Sequence, residues 1–228
     1  MTKEQATFNL DQLITNIESS RLSLSDHHIV KTIAVSKYST IDDIKMLYSV
    51  GQRAFGENKV QDLKEKSKIL NDLPIQWHFI GRLQKNKINN LIDLNPSLFH
   101  SLDSEELAYE LNNKLLKKNK TMNCLLQINS ANEKSQTGVE ITQAIKIYDN
   151  ILKEYKNINL KGIMSIGANT NDKEKIIDSF RLTHNIFKKL ESKNAKYCSM
   201  GMSNDYQIAI KCGSNMIRVG STLFKNNT

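Results

Sequence analysis

Lys37 ends the run His28-Ile29-Val30-Lys31-Thr32-Ile33-Ala34-Val35-Ser36-Lys37-Tyr38, just before the helix-start signal Ser39-Thr40-Ile41-Asp42-Asp43. The β-branched stretch Ile29 to Val35 reads as a buried strand. Side chains alternate along a strand, so Lys37 falls on the same face as Ile33 and Val35. An amine at the mouth of an apolar interior is pressed toward its neutral form and can condense with an aldehyde to an imine. The plainer reading is a lysine that closes a strand and reaches for water. Two distant stretches bear on the choice. Ser199-Met200-Gly201-Met202-Ser203 offers hydroxyls, a glycine for close backbone approach, and free N–H groups. Arg218-Val219-Gly220-Ser221 adds a second glycine and hydroxyl. Either glycine alone would pass for a turn residue, whereas the pair suggests a phosphate cup.

The elements that must position these residues alternate. Strands are expected near residues 29–35, 53–57, 75–81, 98–102, 122–129, 160–166, 197–200 and 215–219. Apolar positions at helical spacing separate them, with Gly51 stopping the second helix and Ser203 capping the last. A further helix over residues 4–21, carrying Phe8, Leu10, Leu13, Ile14 and Ile17, precedes the first strand. A polar loop is expected over residues 130–138. Eight strand–helix units imply one closed (β/α)8 TIM barrel over residues 1–228, with the N-terminal helix taking the eighth helical place. An open doubly wound sheet is disfavoured because no Gly-rich turn follows the first strand. In a closed barrel the first and last strands are neighbours, which sets Lys37 beside the cup. A phosphorylated aldehyde suits that pairing, either pyridoxal 5′-phosphate (PLP) or a sugar phosphate in a Schiff-base aldolase. Asn58 after the second strand and His78 on the third face the mouth or the lining, as ligand contacts or local hydrogen-bonding groups. No metal-ligand spacing is present.

Composition narrows the setting. The 228 residues are 39% hydrophobic and 25% charged, ordinary for a globular protein. The net charge of +8 is lysine-dominated and interspersed with acids, as in Lys64-Glu65-Lys66, so a nucleic-acid partner is not expected. No apolar run is long enough to span a bilayer, and the N-terminus lacks the apolar core of a signal peptide. Cys124, Cys198 and Cys212 are an odd count that suits a reduced, cytoplasmic protein.

Five segments occur in a telling order: Ala34-Val35-Ser36-Lys37; Phe55-Gly56-Glu57-Asn58; the run from Trp77 to Lys87; Ser199-Met200-Gly201-Met202-Ser203; and Arg218-Val219-Gly220. Together they resemble the pyridoxal phosphate homeostasis proteins (the YggS/PROSC family). The resemblance implies a barrel similar to the N-terminal domain of alanine racemase, with PLP held as an imine on the lysine matched by Lys37. It also implies an arginine near the pyridine nitrogen at Arg218, and phosphate contacts at Ser199, Met200, Gly201, Gly220 and Ser221. A charged guanidinium opposes protonation of the ring nitrogen, which suits a carrier better than a carbanion-stabilising catalyst. The implied role is intracellular PLP homeostasis by a monomer, with PLP-dependent apo-enzymes as recipients. The alternatives are an amino-acid racemase or a Schiff-base aldolase. Efficient racemisation is not expected, because Tyr38 is aimed away from the face of Lys37 and no tyrosine follows the last strand. Gln136 stands where the family often has a lysine, and Ser165-Ile166-Gly167-Ala168 lacks a proline often found there.

Overall fold

The computed structural model describes residues 1–133 and 136–225. Its strands are β1 (Lys31–Val35), β2 (Ala54–Glu57), β3 (Gln76–Phe79), β4 (Leu98–Leu102), β5 (Met122–Asn129), the two-residue β6 (Val139–Glu140), β7 (Ile158–Ser165), β8 (Tyr197–Ser199) and β9 (Met216–Val219). All pairings are parallel. β1 pairs with both β2 and β9, and β4 pairs with β5, so eight strands close into a barrel with β6 attached outside it to β5. The helices are α1 (Lys3–Arg21), α2 (Ile41–Ser49), α3 (Val60–Ile69), α4 (Ile88–Leu94), α5 (Glu105–Lys117), α6 (Ala144–Glu154), α7 (Lys173–Leu190) and α8 (Tyr206–Lys211). The expected α/β TIM barrel is what forms.

The two faces of each strand have different neighbours. Ala34, Phe55 and Ile217 pack outward in one cluster with Leu13, Ile17, Ile44 and Leu47 of α1 and α2. Ile33, Leu98, Leu125, Met164 and Met216 pack against each other inside. β1 begins at Lys31 rather than Ile29, because Lys31 is the first residue with a partner on β9; Ile29 is 79% exposed.

Helix α1 packs against α8 and α2 and so occupies the place after β9. It buries Ala6, Asn9, Leu13 and Ile17, whereas Phe8 and Ile14 are exposed. Contact with two flanking helices needs only a narrow stripe, and the broader apolar face expected from the sequence is not used. Asn9 Nδ2 donates to the carbonyls of Leu223 and Lys225, both at 3.0 Å, which ties the chain after β9 to α1. No helix among the described residues is long and apolar enough to cross a membrane. Of the expected polar loop, Lys134 and Ser135 lie outside the described residues.

Candidate functional site

Lys37 follows β1 by two residues, at the C-terminal end of the barrel. A turn takes over there: the Ser39 N–H donates to the Ser36 carbonyl at 2.9 Å. Thr40 then opens α2 with a capping box, its hydroxyl accepting from the Asp43 N–H while the Asp43 carboxylate accepts from the Thr40 N–H. The turn breaks strand alternation, so Lys37 is exposed and the shielding expected from the sequence is not supplied. Tyr38 is 89% exposed and its ring centroid lies 5.0 Å from Lys37 Nζ, not on an opposite face.

The backbone before Lys37 is fastened from below. The Ser36 N–H donates to the Gly56 carbonyl at 3.0 Å, joining the ends of β1 and β2. The Ser36 hydroxyl donates to Glu57 Oε1 at 2.7 Å, and Lys66 Nζ reaches the same oxygen at 2.8 Å and the Ser36 carbonyl at 2.7 Å. Glu57 is fully buried and the Lys66 side chain is 14% exposed. Asn58, half-buried at the end of β2, lies on the same end of the barrel. Its carbonyl would stand 1.9 Å from a Cβ at position 81, which only glycine avoids.

The loops after β8 and β9 meet each other and the end of β1. The Ser203 hydroxyl accepts from the Gly220 N–H at 3.1 Å. A Cβ at Gly220 would lie 3.1 Å from the Val35 carbonyl. Ser203 thus joins two loops and is not the helix cap expected for it; Asp205 occupies that position, and its carboxylate accepts from the Met202 N–H at 2.6 Å. Burial raises the Asp205 carboxyl above its usual range. Among the described residues, the N–H groups of Gly201, Ser203, Asn204 and Ser221 make no hydrogen bond. Gly201 has φ +96°, and a Cβ there would sit 2.7 Å from that of Ala209. The Met200 N–H, by contrast, is spent on the Met216 carbonyl.

Ser199 and Arg218 face the barrel interior rather than the loops. Arg218 is buried; its Nη1 donates to Ser199 Oγ at 2.7 Å and its Nη2 to the Ser165 carbonyl at 2.8 Å. The Ser199 hydroxyl is therefore committed to the guanidinium and is not an open phosphate contact. Burial lowers the Arg218 pKa to about 10, with Asp205 opposing, so the guanidinium is charged at pH 7. On the far side of Ser199, His100 Nδ1 lies at 3.5 Å, and His100 Nε2 is 2.9 Å from His78 Nδ1. Burial pushes His78 down to about 4, helped by Lys31, and holds His100 well below the usual imidazole range. His78 lines the barrel as expected, but its open side is toward the N-terminal ends of the strands, away from the mouth.

Sequence reasoning passed over Lys66, Ser165 and the linking role of Ser203. Lys66 reads as one of many surface lysines on α3, and only closure of the barrel brings it to Ser36. Gln136 donates to the Gly167 carbonyl at 3.3 Å and to Glu133 at 2.9 Å, pinning the β5 and β7 loops together. The C-terminal end thus combines a primary amine outside any ion pair among the described residues with unengaged backbone N–H groups on two adjoining loops. That donor set fits a molecule with an aldehyde and a phosphate.

The family model for the alanine racemase N-terminal domain matches residues 8–228. A pyridoxal phosphate homeostasis protein of Helicobacter pylori is 50% identical over 216 residues, covering 95% of this chain and 96% of its own. The PLP-bound structure of PipY from Synechococcus elongatus superposes with a TM-score of 0.81 at 28% identity, covering 96% of this chain and 99% of that one. An alanine racemase of Clostridium difficile shares the fold, with a TM-score of 0.78 at 16% identity over 56% of its length.

Proposed function

This chain belongs to the alanine racemase N-terminal domain family and, within it, to the pyridoxal phosphate homeostasis proteins, and on that premise we propose that it binds PLP reversibly and takes part in intracellular PLP homeostasis. The observation that carries the reading is the contact series Ser203–Gly220–Val35, which sets the free N–H groups of two loops beside the strand end that bears Lys37. PLP supplies an aldehyde for an amine, a phosphate dianion for N–H donors, and a ring nitrogen. Lys37 is the amine, exposed enough to exchange its partner with solvent or with a recipient protein. The free N–H groups of Gly201, Ser203, Asn204 and Ser221 bind the phosphate, Gly220 holds the two loops together through Ser203, and Met200 shapes the first loop from beneath while its own N–H stays in the sheet. Asn58 flanks the amine. Arg218, oriented by Ser199 and the Ser165 carbonyl, faces the ring nitrogen as a permanent cation. It keeps that nitrogen unprotonated, which disfavours amino-acid chemistry and favours storage and delivery.

The whole chain of 228 residues acts as one domain. It works in the cytoplasm as a monomer, with PLP-dependent apo-enzymes as recipients. Purified protein incubated with PLP, reduced with borohydride and digested should carry the pyridoxyl group on Lys37. Its appearance on another lysine would reassign the site.

A further inference from the structure

The opposite end of the barrel holds a cavity of about 400 Å³ among the N-terminal ends of the strands. Lys31, Arg53, Lys161 and Lys196 line it and no acidic residue does. None of the four is in an ion pair among the described residues. Arg53 is partly occupied, bonded to the Tyr48 carbonyl and stacked on the Tyr48 ring. Lys31 Nζ is 3.1 Å from the Tyr197 hydroxyl, which faces the same space. His78, 94% buried by its 6% exposure, lines the cavity too, and its Nε2 has no hydrogen-bond partner among the described residues.

The direction of the buried hydrogen bonds fixes what His78 presents. Arg218 can only donate, so Ser199 Oγ accepts from it. The Ser199 proton then has one acceptor in reach, His100 Nδ1. A neutral His100 therefore carries its proton on Nε2 and donates to His78 Nδ1. His78, also neutral, is left with its proton on Nε2, aimed into the cavity. The reverse polarity would bury the Ser199 hydroxyl proton with no acceptor, a costlier arrangement. A basic ring of side chains thus surrounds an N–H donor held in place from the barrel interior.

We propose that this N-terminal cavity is a second anion site, which binds a small phosphate-bearing metabolite through His78 Nε2–H, Lys31, Lys161 and Lys196. Several point-charge ammonium groups suit a dianion better than a monocarboxylate, and the volume lies in the range of small-ligand pockets.

The test follows the His78 imidazole resonances of the full chain by NMR during titration with inorganic phosphate, and separately with AMP, PLP and acetate. Phosphate should shift them saturably, AMP or PLP should do so more tightly, and acetate should not. Tight AMP binding with no second equivalent of PLP would identify a nucleotide, and the converse PLP. The variant K31A/K161A/K196A should need at least about tenfold more phosphate, and the single variant Lys196→Ala, at an exposed position, should shift the curve in the same direction. A control removing the exposed Lys64, Lys117 and Lys211 should leave it unchanged. An unmoved His78, equal responses to acetate and phosphate, AMP and PLP both no tighter than phosphate, or an equal loss in the control variant would each overturn the proposal. The losses in K31A/K161A/K196A and Lys196→Ala, compared at the same PLP occupancy, do not depend on whether Lys37 holds PLP.

Discussion

Replacing Lys66 with methionine tests how Lys37 is anchored. The substitution keeps the length of the side chain on α3 but removes the cation 2.8 Å from Glu57 Oε1. Glu57 is fully buried, and its Oε2 already has no partner among the described residues. The carboxylate would keep only the Ser36 hydroxyl, at 2.7 Å. Breaking one half of a buried ion pair costs about 3–5 kcal/mol; with Lys66 14% exposed, water can enter, and the lower end, about 3 kcal/mol, is appropriate. At roughly 2.1 cal/mol/K per residue over 228 residues, that corresponds to a fall in Tm of about 6 °C. The same cation donates to the Ser36 carbonyl at 2.7 Å, next to Lys37, so PLP affinity should drop with stability. Glu57→Gln should cost less, because Lys66 can turn to water while a buried carboxylate cannot. Combining Glu57→Gln with Lys66→Met should recover much of the lost Tm, since no unpaired charge remains. Calorimetry on the three variants decides the matter. A Lys66→Met protein that melts within a degree of the parent, or a double variant no better than it, would refute the reasoning.

Ser199→Ala should destabilise by about 1–3 kcal/mol in urea titrations, because Arg218 Nη1 loses its buried acceptor. Its effect on binding should be equal for pyridoxal and PLP, whereas a loss confined to PLP would make Ser199 a phosphate contact after all. Gly201→Ala should weaken PLP more than pyridoxal, since φ +96° and the 2.7 Å approach to Ala209 would force the loop to move; unchanged relative affinity for the two would contradict the assigned cup. Burial pushes the folded His78 down to about 4 from the ordinary imidazole value of about 6.5, so the unfolded chain binds more protons between those values. Its contribution is present above pH 6.5 and is lost as pH falls toward 4, by about 3 kcal/mol, with His100 adding in the same direction. Denaturation midpoints at pH 7 and 4.5 should differ less in His78→Asn; the same difference in both proteins would show that His78 is not the source.

The order of elements was legible in the chain. The β-branched runs and helically spaced apolar positions mark eight strand–helix units, and the placement of Lys37 past the first strand and of Gly201 and Gly220 past the last two follows from local pattern. Local pattern does not extend to what each side chain meets. Alternation puts Lys37 on a shielded row, but the bond from Ser39 to Ser36 turns the chain first and leaves the amine in solvent. Ser199 reads as a loop hydroxyl until β9 sets Arg218 against it, 19 residues away, and β4 sets His100 against it, 99 residues away. Lys66 is indistinguishable from its lysine neighbours until α3 lies over the ends of β1 and β2. The basic ring of Lys31, Lys161 and Lys196 combines single lysines from three separate strands or strand starts. Backbone periodicity is a short-range property, set by steric repeats of two and 3.6 residues. Partners across a barrel are set by closure and register, which act over the whole chain and leave no local trace.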